Sequence, residues 1–221
     1  MMIPQTPNYI LNGLVGWWRT NDNALDSSGQ ANNGTLVNSP SFVAGKTGRA
    51  VSLNGTSQYI SRSTPQTWPG ETGTTFSVCA FITNTSASGA NDLVILNVGN
   101  GSNDNIYFSL ANIRARLNFS AYNGSVIGVY NTSGALNVPS DGSWVSVIGV
   151  HSSNLWSTYV NGTFCASASG GEGTLTGSST QLSIGSIVTA ARYYPGKIQD
   201  IRLYNRALST TEITAIANLR G

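Results

Sequence analysis

Nine carboxylates and a single histidine are the side chains of this 221-residue chain that could run acid–base chemistry. A glycosidase needs two carboxylates facing one cleft, about 5–9.5 Å apart. The acids here are Asp22, Asp26, Glu71, Asp92, Asp104, Asp141, Glu172, Asp200 and Glu212. They are scattered, and the segments that read as strand centres carry almost none. His151 would have to anchor any nucleophilic triad, with an acid and an activated Ser or Cys converging on it. It ends the apolar run "SWVSVIGVH", and the chain has no Gly-x-Ser-x-Gly elbow. One His and two strand cysteines do not supply zinc-ligand spacing either. The expectation is a protein without a catalytic centre.

Binding chemistry is better provided for. The stretch "NDNALDSSGQANNG" offers Asp22, Asp26, Asn32 and Asn33, with Gly29 and Gly34 for sharp turns. Calcium takes six to eight oxygens of this kind from loops. An Asx-turn loop uses the same residues without a metal. A sugar site needs exposed aromatic faces beside amides and hydroxyls. Trp17 and Trp18 are strand neighbours and must point to opposite faces, so one is core and the other exposed or covered by a loop. Trp156 in "SSNLWSTYV" and Trp68 in "PQTWPGE" are the surface candidates, with Tyr193 and Tyr194 as an aromatic rim before Pro195-Gly196. Exposed aromatics equally mark protein interfaces.

The elements that must position these residues are strands. Short segments such as "TFSVCAFIT", "NIYFSLA", "RARLNFSA" and "GKIQDIRLY" alternate apolar with small or polar residues, the pattern of a strand with one buried face. In "RARLNFSA", Leu117 and Phe119 oppose Asn118 and Ser120. Asn-Gly occurs six times, and "LWSTYVNGTFCASA" predicts a hairpin turning at Asn161-Gly162 because both residues tolerate positive φ. One helix is predicted near the C-terminus in "ALSTTEITAIANLRG". Ser209 is its N-cap, Glu212 its capping-box partner, and Leu208 with Ile213 its hydrophobic staple. Cys79 and Cys165 both lie in apolar strand patterns and read as buried free thiols or as a single bridge.

Charged residues are only 9% of the chain, against a usual share of about 25%. Hydrophobic residues at 40% with regular alternation argue against disorder, and the composition suits one domain of short strands and tight turns. A net charge of +2 without a basic run disfavours nucleic acid, and no apolar stretch approaches the ~20 residues of a membrane helix. The start, "MMIPQTPNYILNG", lacks the basic and apolar regions of a secretory signal.

The chain resembles the laminin-G-like, concanavalin A-like jelly-roll domains of the lectin and glucanase type, particularly their bacterial and phage variety. The stretches that carry the likeness are "GLVGWW…ALDSSGQANNGTL", "GRAVSLNGTSQYIS", "TFSVCAFI", "SWVSVIGV…LWSTYVNGTFCAS", "LSIGS" and "YPGKIQDIRLYNRALSTTEITAI". The resemblance implies an all-β, two-sheet antiparallel jelly-roll β-sandwich with a short C-terminal helix, occupying residues 13–221. It implies a structural calcium between Asp26 and Asp200, although Gln199 stands where relatives often carry a second acid. It implies that Trp144 is core. It also hosts glucanases, whose Glu-x-Asp-x-x-Glu array this sequence lacks, so a glycoside hydrolase is the weakest of the functional readings.

The expectation is a non-catalytic module on an outer surface: a phage decoration, fibre or adhesion protein, or alternatively a lectin-like module of a bacterial surface or secreted protein. Its partners would be a capsid or tail protein, a glycan, or further copies of itself, on a virion or extracellular surface. Residues 1–12 read as a docking arm, kept extended by Pro4 and Pro7. Deleting residues 1–10 is expected to leave the fold intact.

Overall fold

The computed structural model describes residues 8–62, 68–69, 75–85, 92–99, 105–111, 116–122, 125–130, 138–170, 181–187 and 192–219. A helical turn, α1 (Asn8–Leu11), precedes β1 (Leu14–Trp18), β2 (Thr35–Val37), β3 (Ser41–Ala44), β4 (Arg49–Asn54) and β5 (Tyr59–Arg62). The middle of the chain supplies β6 (Thr75–Asn84), β7 (Leu93–Gly99), β8 (Asn105–Leu110), β9 (Leu117–Tyr122) and β10 (Val126–Val129). Then come β11 (Trp144–Ser152), β12 (Leu155–Val160), β13 (Thr163–Ser169), β14 (Gln181–Ile184), β15 (Pro195–Tyr204) and α2 (Thr210–Ala217).

The strands form two sheets. In the first, the order is β13, β12, β11, β6, β15, β4, β3, with β1 also paired to β15. In the second it is β10, β9, β8, β7, β14, β5, β2. The strand pairs are antiparallel, and sequence-distant strands lie side by side, as β6 does with β15. This is the antiparallel jelly-roll sandwich expected from the sequence.

Alternation decides what each face buries. Between the sheets, Phe76, Val78, Ala80 and Ile82 of β6 meet Phe108, Leu110, Leu117, Phe119 and Ala121 of β8 and β9. Phe119 reaches so far across that a Cβ added to Gly149 would lie 2.6 Å from its ring. Only glycine leaves that space.

A second core lies on the outer side of the first sheet. Cys79, Ile148, Val150 and Tyr204 are covered there by Ile10, Leu208, Ile213 and Ile216. The helix that clasps this core is set by the predicted capping box: the Ser209 side chain accepts from the Glu212 backbone N–H, and Glu212 accepts from the Ser209 N–H at 2.8 Å. Leu208 and Ile213 are buried together, as a hydrophobic staple requires. The predicted hairpin joins β12 to β13 through Asn161 (φ 50°) and Gly162 (φ 78°), both in the left-handed region. Cys79 and Cys165 are both free thiols, the first buried and the second half-buried.

The docking-arm boundary needs correction. Ile10 is fully buried in the second core, and the Asn12 carbonyl accepts from Arg206 Nε at 2.8 Å. Deleting residues 1–10 therefore removes a core side chain, so it would not leave the fold intact. Residues 1–7, including Pro4 and Pro7, lie outside the described residues.

Candidate functional site

The opening acid loop is held by its own hydrogen bonds. Asp26 Oδ1 accepts from the backbone N–H groups of Trp17 (2.9 Å) and Ser28 (2.8 Å). Its Oδ2 accepts from Ser28 Oγ (2.7 Å) and the Asn32 N–H (2.8 Å). Asp200 sits at a bulge in β15 with φ 55° and is gripped by Arg202 through Nε (3.1 Å) and Nη2 (2.8 Å). The Trp17 indole N–H also donates to Asp200. Trp17 thus ties the two acids together by backbone and side chain, with the Arg19 and Arg202 guanidiniums 4.9 and 4.8 Å from its ring centre. As placed, these carboxylates do not fit calcium: their oxygens already accept protein donors, and a buried guanidinium occupies the position beside Asp200. No group of three or more His, Cys, Asp or Glu converges among the described residues.

Three of the four predicted surface aromatics are buried instead. Trp156 shares the inward face of β12 with Thr158 and Val160, so it packs between Phe119 (5.0 Å), Phe76 (5.6 Å) and His151 (4.2 Å). Trp68 is buried against Trp18 at 6.3 Å. Tyr194 is fully buried, and its hydroxyl donates to the Thr83 carbonyl at 3.1 Å. Burial pushes its phenol pKa upward. Trp144 goes the other way. Val145 and Val147 face the core, so Trp144 points outward and stays half-exposed rather than buried. Of the tryptophan pair, Trp18 is the core member and Trp17 is half-buried. Tyr193 is half-buried, with its ring 6.2 Å from Tyr59.

A different surface gathers the chemistry that sugar recognition needs. Ile106, Phe108 and Leu110 of β8 and Leu117, Phe119 and Ala121 of β9 face the core. Their alternates therefore face outward from the second sheet. Register aligns Asn97 with Tyr107 and Ser120, Ser109 with Asn118, and Ser183 with Asn97. Asn97, Ser109, Asn118, Ser120 and Ser183 form a buried polar floor. Tyr107 and Tyr122 rise half-buried from it, and Tyr130, just beyond β10, is 44% exposed. Tyr130 hydrogen-bonds Asp92, whose carboxylate lies 3.7 Å from the Arg192 guanidinium. Burial raises the Tyr107 and Tyr130 phenol pKa values, with the Asp92 charge adding to the effect on both, so these hydroxyls stay protonated donors at neutral pH. Tyr59 and Tyr193 extend the same face beyond β14.

Of the residues proposed from sequence, the structure brings Tyr193 to this face and leaves Trp68, Trp156 and Tyr194 in the core. Tyr59, Asp92, Tyr107, Tyr122, Tyr130 and Arg192 were missed. The signal was present in the period-2 pattern of "NIYFSL" and "LNFSAY", which already set Tyr107 and Tyr122 opposite the apolar residues. The remaining described carboxylates have structural partners. Asp22 pairs with Arg49 at 3.0 Å, Asp141 accepts from the Ser143 N–H at 2.9 Å, and Glu212 caps α2.

Comparison with known proteins agrees with the fold. No curated protein sequence matches the chain. Domain 4 of a GH43 extracellular arabinanase from Geobacillus stearothermophilus, solved in complex with arabinotriose, superposes with a TM-score of 0.76 at 18% identity. That match covers 93% of this chain and 98% of the arabinanase domain. The binding domain of Paraclostridial Mosquitocidal Protein 1 (TM-score 0.69, 16% identity) and that of botulinum neurotoxin serotype D (0.69, 15%) each match 95% of this chain. The chain spans about half of each toxin domain, 52%. A family profile described as the concanavalin A-like lectin/glucanases superfamily matches residues 54–214, most of the sequence. The chain belongs to the concanavalin A-like lectin/glucanase superfamily.

Proposed function

We propose that this protein is a non-catalytic glycan-binding module, and that the outward face of the second sheet is its binding surface. The observation that carries the reading is the set of tyrosines, Tyr107, Tyr122 and Tyr130, standing over a floor of Asn and Ser beside the Asp92–Arg192 pair. Tyrosine planes suit the apolar faces of sugar rings, and the phenol hydroxyls and the part-exposed Arg192 guanidinium suit their hydroxyls, while the buried Asn and Ser floor sets the tyrosines in place. The arabinanase domain of similar fold was solved with arabinotriose, which supports a saccharide over a peptide or lipid. A shallow concavity on α2, lined by Thr210, Thr211, Thr214, Ala215 and Asn218, has no aromatic or charged side chain to compete.

The module is displayed on an outer surface, either on a phage particle as a decoration, fibre or adhesion component, or on a bacterial surface or secreted protein. The two settings differ in how the module is mounted, and the same face serves both. The test is a glycan array followed by calorimetric titration of the best ligand. Tyr130→Ala and Tyr107→Ala are each expected to weaken binding about tenfold or more, the usual cost of losing a central aromatic contact. Unchanged affinity in both variants, with native folds, or no glycan bound at all, would defeat the proposal.

A further inference from the structure

Arg192 differs from the other arginines whose partners are resolved. Arg49 is held by Asp22 at 3.0 Å and the Phe42 carbonyl at 2.8 Å. Arg202 is locked to Asp200, and Arg206 to Glu212 at 2.6 and 2.9 Å. Arg62 donates to Asn32 Oδ1 at 3.1 Å. These guanidiniums serve the fold. Arg192 lies 3.7 Å from Asp92, beyond hydrogen-bond reach, and its side chain is 40% exposed. Its N–H donors are therefore open to solvent on the face that holds Tyr107 and Tyr130, both of which sense its charge.

The exposure of that guanidinium also bears on the ligand class. An anionic group would gain most from it, because the planar guanidinium fork matches the two oxygens of a carboxylate or sulfate.

We propose that Arg192 makes this face selective for anionic saccharides, with the sugar's carboxylate or sulfate taking the donors that Asp92 leaves unbonded. The inference rests on the glycan-binding reading above and specifies its ligand class. Asp92 then acts as an electrostatic counterweight: it lies beside Arg192 at 3.7 Å and repels the same anion that Arg192 attracts.

The experiment is an array with three arms, neutral, uronate- or sialate-bearing, and sulfated oligosaccharides, followed by titration at low and high salt. The wild type is expected to prefer an acidic arm, and the arm that responds identifies carboxylate or sulfate. Its affinity should fall about tenfold between low and high salt, as an exposed charge contact is screened. Arg192→Gln is expected to lower acidic-glycan affinity at least tenfold and to remove most of the salt dependence. Asp92→Asn keeps the Tyr130 acceptor, removes the repulsion, and is expected to raise affinity severalfold. These opposite signs distinguish recognition from loss of fold. Binding of neutral glycans alone, unaffected by Arg192→Gln, would overturn the charge selectivity and leave the glycan face standing. Acidic binding that survives Arg192→Gln would also overturn it. Absence of binding in every arm would sink both readings.

Discussion

Glu212 offers the most direct check on how the clasp holds the sandwich. Its carboxylate accepts from Arg206 Nη2 (2.6 Å) and Nη1 (2.9 Å) and from the Ser209 N–H and Oγ, each at 2.8 Å. The Arg206 hydrogen bonds are the largest cause of a pKa held at about 2 instead of the ordinary 4.5; burial opposes them, and Ser209 adds to them. At about 1.4 kcal/mol per tenfold, a drop of that size corresponds to about 3 kcal/mol. Arg206 is 24% exposed, so water screens the pair, and about 1–2 kcal/mol is the realistic contribution. The sign follows from linkage. The folded carboxyl binds its proton less readily than the unfolded one, so this stability is complete above pH 4.5 and is lost as pH falls toward 2. Glu212→Gln should therefore cost about 1–2 kcal/mol at pH 7, and the gap between variant and wild type should close below pH 4.5. Urea unfolding followed by tryptophan fluorescence from pH 7 to pH 2 reads both quantities. A gap that stays constant across this range, or no gap at pH 7, would refute the electrostatic account.

Gly149→Ala should destabilise by about 1–3 kcal/mol, because its methyl would lie 2.6 Å from the Phe119 ring; a urea midpoint equal to wild type would show that the core yields more easily than its packing implies. His151, buried between Phe76 and Trp156, has its pKa lowered to about 4 by burial, so unfolding is favoured as pH falls from 6.5 toward 4. His151→Phe should flatten that part of the stability profile, and an unchanged slope there would count against a neutral buried imidazole. EDTA should leave the melting midpoint unmoved, since protein donors already engage both oxygens of Asp26 and of Asp200; a clear drop restored by calcium would reverse this expectation.

How much of this was legible depended on the range of the interaction concerned. The Asn161-Gly162 hairpin and the Ser209–Glu212 capping box are made by residues within three positions of each other, and their geometry follows from local backbone preference. The alternation in "LNFSAY" likewise told which residues share a face. It could not tell which tryptophan would be wet. Trp156 looked exposed beside Ser and Asn neighbours, yet strand parity and a facing Phe119 from the other sheet made it core. Trp144 looked buried and lies outside, one position out of phase with Val145 and Val147.

Asp26 and Asp200 show the same division. The sequence announced two acids that a fold of this kind brings near each other. Whether they would face a metal or a protein donor was decided by Arg202, which grips Asp200 at the β15 bulge, and by Trp17, whose indole reaches Asp200 only after β1 pairs with β15. The proposed binding face has no contiguous motif at all, because Tyr107, Tyr122, Tyr130, Asp92 and Arg192 come from separate strands and loops. The chain by itself determined that alternating strands would form a two-layer sandwich closed by a capped helix, since periodicity and capping are short-range. Only the tertiary structure decided which outward residues meet, because strand order and register, set by packing across the whole core, bring positions a hundred or more residues apart onto one surface.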